Sequence, residues 1–290
     1  MIELRNIIKR YKHMGPDGRA AVKTAVNGLS LTINKGEIFG LLGTNGAGKT
    51  TTVRMLTTLT QPTEGEILYD GISLRGNEGM LKRKIGVVPQ NLNFDQDLTA
   101  GENLELHARL YHLPKDRREK RIKELLAFVE LEDVVNDSVR KLSGGMKRRL
   151  LIARGLIHEP DVLFMDEPTV ALDPQVRRRI WDLIRKMARK GTTVLLTTHY
   201  IEEAAALCDR VAIMKRGSIL AIDSPQGFID HYGHYMAEWE GANGMACRFF
   251  AGEEEAEAFV ETMTIKANVR PATLEDVFVE LTGRREGLDK

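Results

Sequence analysis

Length, composition and charge set the first limits on this sequence. Its 290 residues, 42% of them hydrophobic, leave room for about two globular domains. Lys and Arg number 42 and Asp and Glu 41, so the net charge does not favour nucleic acid or an acidic membrane as the main partner.

Cysteine usage and hydropathy bear on the compartment. Cys208 and Cys247 show neither a metal-ligand spacing nor a disulfide framework, which favours a reducing compartment. No apolar run exceeds five residues, whereas a membrane-spanning helix needs roughly twenty. The first residues, "MIELRNIIKRYK", lack the apolar segment of a secretory signal. We therefore expect a cytoplasmic chain that does not cross the bilayer.

The predicted elements begin with an antiparallel pair and continue as an alternation. Residues 1–11 and 26–37 predict two antiparallel strands, with a turn signal at Pro16-Asp17-Gly18. The stretches "GEIFGLLG", "DVLFMDEP" and "TTVLLTTH" are short and apolar and end in polar or glycine residues, which is typical of buried parallel strands. "RREKRIKELLAFVELEDV" and "PQVRRRIWDLIRKMARKG" have one apolar side and predict helices. The alternation predicts an α/β fold with ligand groups at the strand ends.

Charge and composition change along the second half of the chain. The charged run from 115 to 124 is typical of a solvated helix face rather than a binding patch. Composition shifts after Ser224-Pro225, so we predict a main domain at 1–224 and a small α+β unit at 225–290. In that unit "YMAEWE" and "CRFFA" predict strands, "EEEAEAFVETM" predicts a helix, and "ATLEDVFVELTG" predicts a closing helix with Thr273 as N-cap and Asp276 three residues later.

The segment "GTNGAGKTT" has the spacing of a phosphate-binding P-loop. Gly43 is followed, after four residues, by Gly48-Lys49-Thr50, between a predicted strand and a predicted helix. Glycines let backbone N–H groups close around phosphate oxygens, Lys49 can reach the β and γ phosphates, and the Thr50 hydroxyl can hold Mg²⁺. The predicted nucleotide-binding residues here are Gly43, Thr44, Asn45, Gly46, Ala47, Gly48, Lys49, Thr50 and Thr51.

Two adjacent carboxylates follow the apolar stretch "VLFM". Asp166 is placed to orient Mg²⁺ or its water shell, and Glu167 to accept a proton from an attacking water. Adjacent carboxylates also end ordinary strands. Because these two accompany a P-loop, we interpret them as catalytic.

A second candidate anion site lies at "LSGGMKRR", residues 142–149. Ser143, Gly144 and Gly145 begin a predicted helix, where exposed N–H groups and the helix dipole favour an anion. This segment offers no lysine aimed at phosphate and no metal ligand. It therefore looks like half of a binding site.

The P-loop, "LSGGM" and "VLFMDEP", in this order and spacing, resemble the nucleotide-binding subunits of ATP-binding cassette (ABC) transporters over about residues 1–224. The resemblance implies a P-loop NTPase fold with an antiparallel β subdomain, a helical subdomain carrying the LSGGM signature, and a small α+β appendage. It implies ATP and Mg²⁺ as ligands and ATP hydrolysis as the reaction. In this family two cassettes meet head to tail, so Ser143, Gly144 and Gly145 are expected to bind the γ-phosphate of a partner's ATP.

The same resemblance implies roles for single residues. Tyr11 resembles the aromatic residue that stacks on adenine, although the segment from 12 to 23 is longer than the usual connection. Gln90 in "GVVPQN" resembles the glutamine that touches Mg²⁺ and the water and couples the site to the membrane partner. His199 in "LLTTHY" resembles the histidine that contacts the γ-phosphate and holds the water with Glu167.

The segment "TVALD", residues 169–173, resembles the loop through which the two ATP sites communicate. Asp173 matches its acidic residue, and the family more often carries glycine where Ala171 stands. The predicted catalytic residues are thus Lys49, Gln90, Glu167 and His199. The predicted metal ligands are Thr50, Gln90 and Asp166.

The tail "PATLEDVFVELTG", residues 271–283, resembles that of cassettes serving ABC-2 type exporters, including the daunorubicin-resistance and nodulation-export groups. This implies a separate transmembrane permease, a dimer of cassettes, with two copies of this chain favoured, and a place at the cytoplasmic face of the membrane. The tail also fits an ordinary amphipathic helix, with Leu274, Val277, Phe278 and Leu281 on one face. Two alternatives are a soluble, non-transport ABC ATPase acting on ribosomes or DNA, and an idle half of a heterodimer.

Overall fold

The computed structural model describes residues 1–14, 20–241 and 244–283. The strands are β1 (Ile2–Met14), β2 (Ala20–Ile33), β3 (Ile38–Gly43), β4 (Glu64–Tyr69), β5 (Ile72–Ser73), β6 (Ile85–Val88), β7 (Val162–Asp166), β8 (Thr193–Thr198), β9 (Arg210–Lys215), β10 (Ser218–Asp223), β11 (Tyr235–Gly241), β12 (Gly244–Phe250) and β13 (Ala267–Pro271). The helices are α1 (Lys49–Leu56), α2 (Glu78–Lys82), α3 (Ala100–Leu110), α4 (Lys115–Phe128), α5 (Gly144–Gly155), α6 (Pro174–Arg189), α7 (Ile201–Leu207), α8 (Pro225–Tyr232), α9 (Glu253–Glu261) and α10 (Leu274–Gly283). None of these helices is long and apolar enough to cross a membrane.

A six-stranded sheet of order β10-β9-β3-β8-β7-β6 forms the centre of the main domain. All neighbouring pairs are parallel except β9 and β10. Both β3 and β8 are buried along their whole length, as strands covered on two faces are. The segments after β3, β6, β7 and β8 contain the predicted P-loop, Gln90, Glu167 and His199. They meet at one edge of the sheet, so the α/β prediction is confirmed.

A second sheet, antiparallel and of order β2-β1-β4-β5, contains the first strands of the chain. The predicted antiparallel pair is present, and both strands extend further into the connecting segment than expected. The turn predicted at Pro16-Asp17-Gly18 lies outside the described residues. Ile7 and Val26 share a buried cluster with Phe39 of β3, so this sheet packs on the central one.

Helices α3, α4 and α5 form the predicted helical subdomain, and α5 begins at the LSGGM signature. Their apolar faces belong to one buried cluster with the central sheet. The charged run from 115 to 124 lies in α4, with most of its side chains exposed. The helix expected to continue to residue 134 ends at Phe128, because the backbone turns through a left-handed conformation at Glu130, with φ of 57°.

The C-terminal part is a three-stranded sheet of order β12-β11-β13 with α9 packed on it. The expected strands and helices are present, while β13 is too short and polar for the sequence pattern to predict. Ala237, Phe250 and Ala256 form a small buried cluster of their own. Helices α8 and α10 place Phe228 and Val277 in the core of the main domain. This part therefore has a core of its own and two helices that hold it to the main domain.

The closing helix begins at the predicted cap. Thr273 N–H donates to Asp276 Oδ2 at 2.8 Å, and the Asp276 N–H donates to Thr273 Oγ1 at 3.4 Å. Arg270 at the end of β13 donates to both carboxylate oxygens of Asp276, at 2.8 and 2.7 Å. Its guanidinium is one of the groups that hold the pKa of Asp276 below its ordinary value, against the effect of burial.

Candidate active site

The loop between β3 and α1 has the backbone conformation that phosphate binding requires. Gly46 and Gly48 have φ of 82° and 106°, values that glycine adopts without strain. A Cβ on Gly48 would also lie 2.7 Å from the carbonyl oxygen of Ala25. Helix α1 starts at Lys49, and no side chain caps its first turn. Its first N–H groups are therefore available to an anion.

Lys49 folds back over this loop. Its Nζ donates to the carbonyl oxygens of Gly43 at 2.7 Å and Thr44 at 3.2 Å, and the residue is only 6% exposed. Burial lowers the pKa of Lys49, and the carboxylates of Glu167 and Asp166 oppose that shift. A desolvated cation beside the loop is suited to bind phosphate oxygens.

A cavity of about 650 Å³ opens at this edge of the central sheet, a size in the usual range for small-molecule sites. The predicted site residues that line it are Asn45, Gly46, Ala47, Gly48, Lys49, Thr50, Thr51, Gln90, Glu167 and His199. Lys23, Thr24, Ala25, Val170 and Arg216 also line it and were not predicted from the sequence. Two of these additional residues are basic, which adds positive charge at the mouth of a phosphate site.

Glu167 lies at the centre of a polar cluster in this cavity. Gln90 Nε2 donates to Glu167 Oε2 at 3.0 Å, and His199 Nδ1 lies 3.1 Å from Oε1. The Glu167 backbone has a φ of 48°, and its N–H donates to the carbonyl oxygen of Thr197 at 3.1 Å. The structure thus brings together three predicted residues that follow three different strands.

Asp166, the last residue of β7, faces the start of α1. Its Oδ1 accepts from Thr197 Oγ1 at 2.5 Å and lies 3.5 Å from Thr50 Oγ1. Carboxylate, hydroxyl and amide oxygens are ligands that Mg²⁺ accepts, so Thr50, Asp166 and Gln90 fit this ion. No group of three or more His, Cys, Asp or Glu side chains forms a metal site within the described ranges. Phosphate oxygens and water would supply the remaining ligands.

The Ser-Gly-Gly start of α5 lies apart from this cavity. Ser143 is the N-cap, and its Oγ accepts from the Met146 N–H at 3.2 Å. A Cβ on Gly145 would lie 2.7 Å from Val176 Cγ1 of α6, whereas no described atom lies within 4 Å of a Cβ built on Gly144. These signature residues do not line the cavity that contains the P-loop. The structure therefore does not bring them to the phosphate loop of their own chain.

Tyr11 and Asp173 also lie outside the cavity lining. Tyr11 pairs with Lys23 across β1 and β2, and Lys9 Nζ lies 5.0 Å from the centroid of the tyrosine ring. Asp173 is the N-cap of α6, where its Oδ1 accepts from the Val176 N–H at 2.9 Å. The adenine-stacking and communication roles predicted for these two residues rest on the sequence resemblance.

Two buried polar residues beside the site were missed at the level of sequence. Thr197 accepts from the Glu167 N–H through its hydroxyl, at 3.2 Å, as well as donating to Asp166. Glu203 of α7 is fully buried, and its Oε1 accepts from Thr169 Oγ1 at 2.7 Å and from the Trp181 indole at 3.1 Å. Burial raises the pKa of Glu203. The available signal was a polar residue inside an otherwise apolar strand or helix face.

Similarity to known proteins identifies the family. The family model described as ABC transporter matches residues 26–170. Nod factor export ATP-binding protein I of Ralstonia nicotianae is 42% identical over 92% of this chain and 91% of that protein. The protein of the same name from a Rhizobium species is 40% identical over 90% and 93%. This chain is an ABC transporter ATP-binding protein.

Solved ABC cassettes have the same fold as this cassette. A dimeric cassette in a post-hydrolysis state, bound to ADP and Pi, is 33% identical with a TM-score of 0.70, and the match covers 77% of this chain and 98% of that one. CbiO1 of Clostridium perfringens, part of the transporter complex CbiONQ, is 29% identical with a TM-score of 0.70 over 78% and 89%. This ABC cassette therefore binds and hydrolyses ATP, and it belongs with transporter subunits rather than with the non-transport alternative.

Proposed function

We propose that two copies of this ABC cassette close head to tail on ATP and drive a separate, export-type transmembrane subunit. The observation that carries the proposal is the separation of Ser143, Gly144 and Gly145 from the cavity that contains the P-loop. A helix start that lies outside the P-loop cavity needs a second set of phosphate-binding groups to enclose a triphosphate. A partner's P-loop supplies that set, and the dimeric solved cassette supports the arrangement.

Each ATP site consists of the P-loop of one subunit and the signature residues of its partner, and the P-loop subunit makes most contacts with the nucleotide. Lys49 and the loop N–H groups bind the β and γ phosphates, and Tyr11 stacks on the adenine. Thr50, Asp166 and Gln90 would hold Mg²⁺, which would neutralise phosphate charge. The signature residues of the partner cover the γ-phosphate from the other side.

Hydrolysis uses the cluster around Glu167. The Glu167 carboxylate accepts a proton from the attacking water. His199 and Gln90 lie within hydrogen-bonding distance of that carboxylate and orient the water. Asp173, at the start of α6, lies in the loop through which the two sites communicate. Only a nucleotide with a γ-phosphate bridges the P-loop of one subunit and the signature residues of the other. Cleavage of the γ-phosphate therefore removes the energetic preference for the closed dimer.

An export role is supported by the relatives. Two proteins about 40% identical to this chain over nearly its whole length are named export ATP-binding proteins. The tail segment that resembles ABC-2 cassettes forms α10, which packs Leu274 and Val277 into the core. The chain therefore works at the cytoplasmic face of the membrane, held there by its permease.

A cleft next to the Gln90 segment is the proposed docking surface for the permease. It has a volume of about 290 Å³ and is lined by residues that include Pro89, His107 and Tyr111. Leu59, also in its lining, is 73% exposed. Leu59, Val87, Pro89 and Tyr111 give the cleft an apolar part, and contiguous apolar surface in a groove is typical of a protein-binding surface. A partner bound there would contact the segment that carries Gln90.

Co-purification from native membranes tests this function. We expect a tagged chain, extracted in mild detergent, to carry with it a polytopic membrane protein at a one-to-one ratio. Leu59→Glu places a charge in the cleft and should lose that protein. Met245→Glu is the matched control, since Met245 is 72% exposed on β12, outside the cleft. Ribosomes, DNA or nothing, from a preparation that still hydrolyses ATP, would contradict the transport role.

A further inference from the structure

Arg148, in the second turn of the signature helix α5, has an unusual environment for a charged residue. It is only 4% exposed. Its Nη1 donates to the carbonyl oxygen of Pro89 and its Nη2 to that of Gln90, both at 2.8 Å. Burial lowers the pKa of Arg148, and the carboxylates of Glu203 and Asp166 oppose that shift. The planar guanidinium thus grips two successive backbone carbonyls of the segment after β6.

The side chain of Gln90 continues this line of contacts into the active site. Gln90 Nε2 donates to Glu167 Oε2 at 3.0 Å, so one residue separates the guanidinium of Arg148 from the proposed catalytic base. At the other end, Arg148 is five residues from Ser143, roughly 7.5 Å along a rigid helix. The start of the signature helix, Gln90 and Glu167 are therefore joined by a short chain of direct contacts within one subunit.

We propose that Arg148 is a positioning residue for ATP hydrolysis: it holds Gln90 within reach of Glu167 and ties that contact to the position of the signature helix. The inference rests on the proposed roles of Gln90 and of the signature. When the γ-phosphate of the partner's ATP binds at the start of the signature helix, the helix changes position. Arg148 moves with the helix, and the Gln90 backbone moves with Arg148. Each site is thereby sensitive to nucleotide bound at the other.

Two neighbouring arginines show what is particular to Arg148. Arg149 is also buried, at 9% exposure, and its Nη1 donates to the carbonyl oxygens of Val129 and Glu130 at 2.6 and 3.0 Å, away from the active site. Arg154 donates to the carbonyl oxygen of Asn93 at 2.7 Å. The three share a helix and a type of acceptor, but the carbonyl of Gln90 is bound by Arg148.

Single substitutions test the kinetic consequence. Arg148→Met should lower kcat for ATP hydrolysis about 10- to 100-fold, the range typical of a misplaced catalytic group, with KM for ATP changed less than about twofold. Arg148→Lys keeps the charge but not the planar fork, so it should restore part of the loss. Arg149→Met is the control: it should lower thermal stability to a similar extent while kcat stays within about twofold. Equal losses of kcat in the Arg148→Met and Arg149→Met chains would overturn the inference.

A double-variant cycle tests whether Arg148 acts through Gln90. The chain with both Gln90→Ala and Arg148→Met should be no slower than the chain with Gln90→Ala alone, because the positioned group is already absent. If Gln90→Ala lowers kcat and the second substitution multiplies that loss, the inference about Arg148 is wrong while the role of Gln90 stands. If Gln90→Ala alone leaves kcat unchanged, the proposed role of Gln90 fails, and this inference fails with it.

Discussion

Glu167 at the active site and Ala171, four residues later, hold left-handed backbone conformations although neither is glycine. Glu167 and Ala171 have φ of 48° and 58°, which costs a non-glycine residue on the order of 1–2 kcal/mol. The Glu167 N–H is held by both the carbonyl and the hydroxyl oxygen of Thr197. Such strain persists where surrounding contacts hold the backbone, as they do here. At position 171 a glycine would adopt the same backbone conformation without this strain.

Replacing Ala171 with glycine tests that strain. Ala171→Gly should leave the free energy of unfolding unchanged or raise it by up to about 1 kcal/mol, because relief of strain opposes the greater freedom of glycine in the unfolded chain. Urea unfolding measures the change. Ala258→Gly, in the exposed middle of α9, is the control and should lose about 0.5–1 kcal/mol. Similar losses in both chains would show that residue 171 is not strained.

Lys49 is the residue whose charge the proposed phosphate site depends on most directly. Lys49→Ala removes a buried cation and should weaken ATP binding by about 10- to 100-fold, since a hydrogen bond from a charged group contributes about 1.5–3 kcal/mol. Titration calorimetry with ATP measures the affinity, and a melting curve without nucleotide checks that the variant is folded. A folded variant with unchanged affinity would mean that the phosphates bind elsewhere.

Among the elements, α3 shows how a helix is fixed at both ends. At its start, Thr99 Oγ1 accepts from the Glu102 N–H at 3.2 Å and the Glu102 carboxylate accepts from the Thr99 N–H at 2.8 Å, a reciprocal cap. Near its end, His107 lines a cleft together with Arg154 of α5. Burial, and then the charges of Arg154 and His158, lower the pKa of His107 to about 4. The last turn of α3 is therefore built for a neutral imidazole.

Acid should weaken the attachment of α3. The pKa of His107 is about 4 in the folded chain and ordinarily 6.5, so between these values the unfolded chain binds more protons at this residue. Its contribution to stability is full above pH 6.5 and falls as the pH drops toward 4. We expect His107→Gln to gain in unfolding free energy relative to the natural chain over that window, measured by urea unfolding of the isolated subunit. A difference that stays constant from pH 7 to 4 would contradict the prediction.

At the scale of the whole molecule, the phosphate cavity and the signature helix start occupy separate places on one chain. Neither encloses a triphosphate alone: the cavity is open, and no described atom lies within 4 Å of a Cβ built on Gly144 at the helix start. The strands that end at Gly43, Asp166 and Thr198 form one sheet, so the P-loop, Glu167 and His199 are positioned within a single chain. Gln90 is held in addition by Arg148 of the signature helix. Pairing then acts by completing the site rather than by building it.

Glu167→Gln should separate binding from hydrolysis. Only the proton acceptor is lost, so ATP binding should persist while kcat falls about 100-fold or more. Because ATP is then not consumed, an ATP-dependent dimer should accumulate, which light scattering after size-exclusion chromatography detects. The chain that also carries Lys49→Ala should remain monomeric and serves as the control. A Glu167→Gln chain that stays monomeric with saturating ATP and Mg²⁺ would disprove head-to-tail closure.

Much of this site could be predicted because its motifs are local. The P-loop is one contiguous turn, and its glycines, Lys49 and Thr50 are readable from spacing. Gln90, Glu167 and His199 each follow an apolar strand, and parallel strands bring such residues to one edge. Tyr11 shows the limit of this reasoning. The pattern of the chain does not indicate its cross-strand neighbour Lys23, which lines the cavity. The adenine-stacking role of Tyr11 stays a prediction.

By itself the sequence determined the family, the reaction and the identity of the residues at the strand ends, because each of these depends on short runs with strict spacing. Only the tertiary structure decided which polar groups support them. The bond from Thr197 to Asp166 joins positions 31 apart, and the bond from Arg148 to Pro89 joins positions 59 apart. Neither distance leaves a periodic signal in the chain. Contacts of this kind depend on how helices and strands pack together. The proposed coupling between the signature helix and Glu167 depends on such contacts.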